Sequence, residues 1–126
     1  MTILLADDNA PSRELMREIL EACGYDVAEA SNGREALDLI RKSPPDIVLL
    51  DLQMPVMDGF AVIHAVRSDE RLRLLTVIAL TASAMLGDRE RAIAAGFDSY
   101  IAKPISLENV RNQIRQITTR NLERGL

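Results

Sequence analysis

Ile47-Val48-Leu49-Leu50-Asp51 is the stretch that decides the fold: four apolar residues in a row that stop at a carboxylate. Pro44-Pro45 ahead of it bars a helix from running in, and Asp58-Gly59 behind it supplies a turn that starts the next helix. An apolar run this short suits a strand buried on both faces in the middle of a parallel sheet. Working outward, Ile3 to Ala6, Asp26 to Ala30, Thr76 to Leu80 and Ser99 to Ala102 read as further strands. Amphipathic stretches lie between them. Pro11 to Cys23 places Leu15, Met16, Ile19, Leu20 and Cys23 on one helical face, with Gly24 as C-cap. Arg34 to Lys42 turns Ala36, Leu37 and Ile40 inward, and helices are expected over Asp58 to Arg67 and Met85 to Ala95. Ser106 caps a last helix that buries Leu107, Val110, Ile114 and Ile117. Five strand–helix pairs in strict alternation predict an α/β fold with a parallel sheet and helices on both faces. One domain is expected over residues 1–120, followed by a polar tail at 121–126.

Composition narrows the function. Aromatics are 3% of the 126 residues, too few for a base-stacking surface, and the net charge of −4 opposes a general grip on phosphate backbones. Direct nucleic-acid binding is therefore not expected. Cys23 is the single cysteine, so no internal disulfide forms. No apolar run approaches the roughly 20 residues of a membrane span. The N-terminus meets Asp7 and Asp8 after one short apolar run, unlike a signal peptide, and a cytoplasmic location is expected.

In parallel α/β sheets the site lies where the strands hand over to their loops. Strand one ends in Asp7-Asp8, strand three in Asp51, strand four in Thr81 and strand five in Lys103-Pro104, whereas strand two ends in the plainer Ser31-Asn32. Two carboxylates about 4 Å apart repel by roughly 4 kcal/mol at an effective dielectric near 20. Three together call for a hard divalent ion, and one lysine is too little to neutralise them. The cluster therefore reads as a magnesium site in preference to a salt-bridge network. On the same reasoning, neutralising either Asp7 or Asp51 should relieve strain in the metal-free protein. Such a mouth suits phosphoryl transfer, with Asp51, alone at a central strand end, as acceptor, Lys103 as counter-charge and Thr81 as hydrogen-bond donor.

Leu4-Leu5-Ala6-Asp7-Asp8-Asn9, the run from Ile47 to Gly59, Ala79-Leu80-Thr81-Ala82, and the run from Ala95 to Pro104 closely resemble the signature segments of response-regulator receiver domains. The resemblance covers Thr2 to Thr118, and the separations of Thr81 and Lys103 from Asp51 match the family too. It implies a flavodoxin-like (βα)5 fold with strand order 2-1-3-4-5, as in chemotaxis receivers. It implies that Asp51 is the phosphorylated residue and that magnesium is held by Asp8, Asp51 and the backbone carbonyl of Gln53. Asp7 would act mostly through a metal-bound water. Thr81 and Lys103 match the pair that senses the phosphoryl group, and Tyr100 matches the aromatic that moves inward when Thr81 is drawn to it. The bond between Lys103 and Pro104 looks like the family's cis peptide. Gln53 and Ser83 occupy variable positions that tune the lifetime of the phosphoryl group. The implied partners are a sensor histidine kinase or histidine phosphotransfer protein as donor, and a downstream protein target. Ile105 and the segment from Leu80 to Ala95 look more like stand-alone or hybrid-kinase receivers than the winged-helix subfamily.

Other readings compete at single residues. In isolation Asp7-Asp8 is a solvated turn, Asp51 a cap, Thr81 a common strand-end residue and Lys103 a surface lysine. Tyr100 could be a plain packed ring, Cys23 reads as core, and His64 as an ordinary helix residue. Among whole functions, a haloacid-dehalogenase-like phosphatase needs a second acid where Gln53 stands. A flavodoxin-like cofactor binder needs a phosphate-cradling first loop, which Asp7-Asp8 would oppose. A phosphorylation-independent interaction module would typically have lost one of Asp7, Asp8, Asp51 or Lys103.

Overall fold

The computed structural model describes residues 1–81, 88–103 and 106–123; within the helices the side chains of residues 88, 107 and 118–123 are left aside. The elements run β1 (Thr2–Ala6), α1 (Ala10–Ala22), β2 (Asp26–Ala30), α2 (Gly33–Lys42), β3 (Ile47–Asp51), α3 (Gly59–Ser68), β4 (Thr76–Thr81), α4 (Asp88–Ala95), β5 (Ser99–Ala102) and α5 (Leu107–Glu123). All four strand pairings are parallel and the order is β2-β1-β3-β4-β5, the flavodoxin-like order. The central strand β3 is buried at every position, as its unbroken apolar run requires.

Side chains alternate across the sheet with period two, and each face has its own core. Ile3, Leu5, Ile47, Leu49, Ile78 and Leu80 meet Met16 and Leu20 of α1 and Val110, Ile114 and Ile117 of α5. Leu4, Val48, Leu50, Val77 and Ala79 meet Leu37 and Ile40 of α2, Val62, Ile63 and Val66 of α3, and Ala92 of α4. Each large side chain so buried contributes about 1.5–3 kcal/mol, which drives the helices onto the sheet. Tyr100 packs, partly buried, against the second of these cores.

Local chemistry sets the helix ends. Asn9, Asn32 and Asp58 cap α1, α2 and α3, each accepting a backbone N–H three residues on. Ser106 does the same for α5, taking the Asn109 N–H on its Oγ. Gly24 (φ +92°) and Gly96 (φ +117°) end α1 and α4 in the left-handed conformation that glycine adopts freely. Gly33 opens α2 beneath the β3–α3 loop, and a Cβ there would overlap the Met57 carbonyl.

Three details differ from expectation. Leu15 is 53% exposed, not part of the buried face of α1, where Met16 and Leu20 are buried and Ile19 packs against the same core. Cys23 is the half-buried C-cap of α1 and not a core residue. Helix α5 continues to Glu123, through the first residues of the expected tail. Ser83, Met85, Pro104 and Ile105, with the expected cis bond, lie outside the described residues.

Away from the strand ends that carry the acids, Arg67 joins two connections, α3–β4 and α4–β5. Its guanidinium donates to the carbonyls of Gly96, Arg73 and Leu75 and pairs with Asp98 at 2.9 Å. Asp98 in turn accepts the Val77 N–H.

Candidate metal and phosphoacceptor site

The carboxyl ends of β1, β3 and β5 open into a cleft of about 770 Å³, lined by Asp7, Asp8, Asp51, Gln53, Asp58 and Lys103 among others. One carboxylate oxygen from each of Asp7, Asp8 and Asp51 lies within 4.8 Å of the others. Asp7 is fully buried, Asp51 nearly so, and Asp8 is exposed. The register explains the placement: Ala6 pairs with Leu50, so the acids following β1 and closing β3 emerge side by side.

Lys103 reaches both buried acids. Its Nζ donates to Asp7 Oδ2 at 2.7 Å and to Asp51 Oδ2 at 2.8 Å. The expected contrast between a metal site and a salt-bridge network is therefore corrected, since these residues build an ion-pair network inside the acidic cluster. One ammonium against three carboxylates still leaves the cluster negative, and oxygen donors of this kind suit a hard cation such as magnesium.

The two buried acids differ in their donors. Asp7 also accepts the Asn9 N–H on Oδ1 and the Ser12 hydroxyl on Oδ2, while among the described residues Asp51 adds only the Gln53 N–H. Burial raises the Asp7 carboxyl, but Lys103, Asn9 and Ser12 outweigh it and hold the group below its ordinary range. Burial pushes Asp51 up, and Lys103 and Gln53 offset it only in part. Lys103 is disfavoured by burial, yet its bonds to Asp51 and Asp7 lift it above the ordinary lysine value.

Thr81 ends β4, buried, one residue beyond Leu80, which pairs with Asp51. It does not line the cleft, but its carbonyl accepts the Lys103 N–H at 2.7 Å. Tyr100 sits on β5, three residues before Lys103. Sequence reasoning missed Ser12, whose hydroxyl bonds Asp7, and Arg13, whose Nη1 donates to the Asp7 carbonyl at 2.8 Å. Both lie on α1 and reach Asp7 through a tertiary arrangement that no short motif announces.

The chain is similar over most of its length to proteins of one kind. It is 42% identical to the polar-differentiation response regulator DivK of Brucella anthropi over 106 residues, covering 84% of this chain and 86% of that one. The Vibrio cholerae chemotaxis protein CheY4 superposes with a TM-score of 0.84 at 29% identity, covering 91% of this chain and 96% of that one. The receiver domain of a Pseudomonas aeruginosa sensor histidine kinase, solved with magnesium coordinated in its active-site cleft, does so at 0.85 and 32%, covering 91% and 94%. Residues 3–115 match the model of the response regulator receiver domain. With this match over most of its length, the five-stranded parallel order and the acid cluster at the strand ends, the chain belongs to the response regulator receiver domain family of two-component signalling.

Proposed function

We propose that the chain is a phosphorylation-dependent switch that accepts a phosphoryl group on Asp51. The observation that carries this reading is Lys103 Nζ within hydrogen-bond reach of both Asp51 and Asp7, in a cleft that Asp8 also enters. The donor is a phosphohistidine of a sensor histidine kinase or histidine phosphotransfer protein. An Asp51 carboxylate oxygen attacks phosphorus; the P–O bond forms as the P–N bond breaks, and the departing imidazole nitrogen keeps the pair and takes up a proton. Magnesium, held by Asp8, Asp51 and the Gln53 carbonyl with Asp7 through water, would supply counter-charge to the phosphoryl oxygens. The chain thus catalyses its own phosphorylation and dephosphorylation and turns over no separate substrate.

Lys103 then exchanges a carboxylate oxygen for a phosphoryl oxygen, and Thr81 donates its hydroxyl to another. A hydrogen bond to a charged group contributes about 1.5–3 kcal/mol. Moving a two-state equilibrium from 1:99 to 99:1 takes roughly 5.5 kcal/mol, so Thr81 and Lys103 must act together. Tyr100 follows Thr81 inward, and the face made by α4, β5 and α5 changes for a downstream protein. The reading places the chain in the cytoplasm, and no described helix is long and apolar enough to cross a membrane.

The test is incubation with acetyl phosphate and magnesium, followed by mapping of the added mass. Modification of Asp51 alone, abolished in Asp51→Asn, supports the reading. Full modification of Asp51→Asn, or phosphate on His64 or a serine, overturns it. Spectra with and without beryllium fluoride test the output face: unchanged signals from Asp88 to Ala95 and at Tyr100, with Asp51 occupied, place the output elsewhere.

A further inference from the structure

Asp8 is exposed, and among the described residues no hydrogen bond or ion pair holds its carboxylate. A carboxylate oxygen of Asp8 nonetheless lies within 4.8 Å of one from each of Asp7 and Asp51. What keeps it there is the backbone. The peptide unit joining Asp7 to Asp8 presents the Asp7 carbonyl, and Arg13 Nη1 donates to that oxygen at 2.8 Å. In the preceding peptide unit, the Asp7 N–H is tied to the Ala30 carbonyl at 3.1 Å. With the preceding unit anchored to β2 and the Asp7 carbonyl held by Arg13, rotation of the Asp7–Asp8 peptide is restrained, and with it the direction in which Asp8 leaves the chain.

Arg13 is itself held. Its Nε donates to Glu29 Oε1 at 3.2 Å, and Arg17 Nη1 donates to Glu29 Oε2 at 2.9 Å. The Arg13 side chain is 20% exposed. Glu29 lies on β2 opposite Leu5 of β1, so the guanidinium is aimed from the sheet's own frame. Glu29, shared with Arg17, offsets part of the repulsion that a bare guanidinium near the acidic cluster would exert on an incoming cation.

We infer that Arg13 is a positioning residue for cation capture: by holding the Asp7 carbonyl it directs the Asp8 carboxylate into the cluster. The inference rests on the magnesium reading proposed above and adds a residue outside the acids to it. Partners one layer behind metal ligands typically affect metal affinity by about 10–100-fold.

Charge and geometry give opposite signs here, which makes the test sharp. Removing a cation near the site should tighten magnesium binding if charge is all that Arg13 contributes. Removing a positioning group should weaken it. Magnesium affinity is measured by calorimetry on the whole chain, without phosphodonor, for wild type, Arg13→Met, Arg13→Lys and Arg17→Met. Arg17 shares Glu29 and the helix but has no bond to Asp7, so it controls for damage to α1. The expected result is binding about tenfold weaker in Arg13→Met, partly restored in Arg13→Lys, and unchanged in Arg17→Met. Equal or tighter binding in Arg13→Met, or equal weakening in both Met variants, overturns the inference. Wild type that binds no magnesium overturns the metal reading itself, a separate outcome.

Discussion

Asp7 and Asp51 share one cation, the Lys103 ammonium, and are driven in opposite directions. Burial opposes the charge on both, but Asp7 has two further donors and Asp51 one, so the first is held below the ordinary carboxylate range and the second above it.

Neutralising the two acids should therefore have opposite effects on the metal-free protein, not the common gain that crowding alone suggests. Ionised Asp7 stabilises the fold at neutral pH, a contribution lost as pH falls through its lowered folded value. Ionised Asp51 costs stability, a cost that sets in as pH rises from the ordinary value through the raised folded one. Asp7→Asn should lose about 1.5–3 kcal/mol at pH 7, with the deficit closing in acid. Asp51→Asn should gain stability, since Lys103 keeps Asp7 as partner. Urea melts across pH check both; a gain in Asp7→Asn would refute the assignment.

Removing the cation tests the cluster from the other side. In Lys103→Met the buried acids face each other without their shared ammonium, a repulsion of up to about 4 kcal/mol for a pair at 4 Å. The variant should melt lower than wild type without magnesium and gain more from added magnesium. Thermal unfolding with and without the ion measures the difference, and equal magnesium shifts would count against it.

Arg67 should matter for stability and not for phosphoacceptance. Arg67→Met takes the guanidinium donor from the carbonyls of Gly96, Arg73 and Leu75 and leaves the half-buried Asp98 without its cation, though with the Val77 N–H. A loss of about 2–4 kcal/mol is expected, with Asp51 still modified by acetyl phosphate. Arg67→Lys should rescue little, because one ammonium cannot reproduce the guanidinium fork.

Val56 is strained. It is a β-branched residue at φ +69°, 82% exposed, at the centre of a tight turn in which the Met57 N–H bonds the Pro55 carbonyl. Asparagine tolerates the left-handed region and avoids the entropy that glycine adds to the unfolded chain. Val56→Asn should stabilise the protein by about 1 kcal/mol, read as a rise in denaturation midpoint. A fall would show that the turn relaxes at no cost.

Much of this was legible along the chain because the signals are local. Strand β3 is an apolar run cut by prolines and a carboxylate, and the acids of the site are strand-end residues visible in one dimension. Asn32 passed as unremarkable although Glu35, three residues on, completes a capping signature that was there to be read. Leu15 misled because an amphipathic stripe of 3.6 periodicity is wider than the strip of helix that touches the sheet. Arg13, Ser12 and Arg67 were illegible for a different reason. Each is a polar residue on a helix, indistinguishable in sequence from a solvated one, and its role comes from a carbonyl or carboxylate that the tertiary fold brings to it.

The close approach at Gly33 bears on how this protein could be redesigned. The start of α2 and the loop beside the cleft interlock so tightly that even one methyl group would overlap the Met57 carbonyl and crowd Val62. A library that randomises the outer turns of α2 can vary freely at Arg34 and Asp38, which are exposed, but should return glycine at position 33. Side-chain engineering from that helix must leave this one backbone contact untouched.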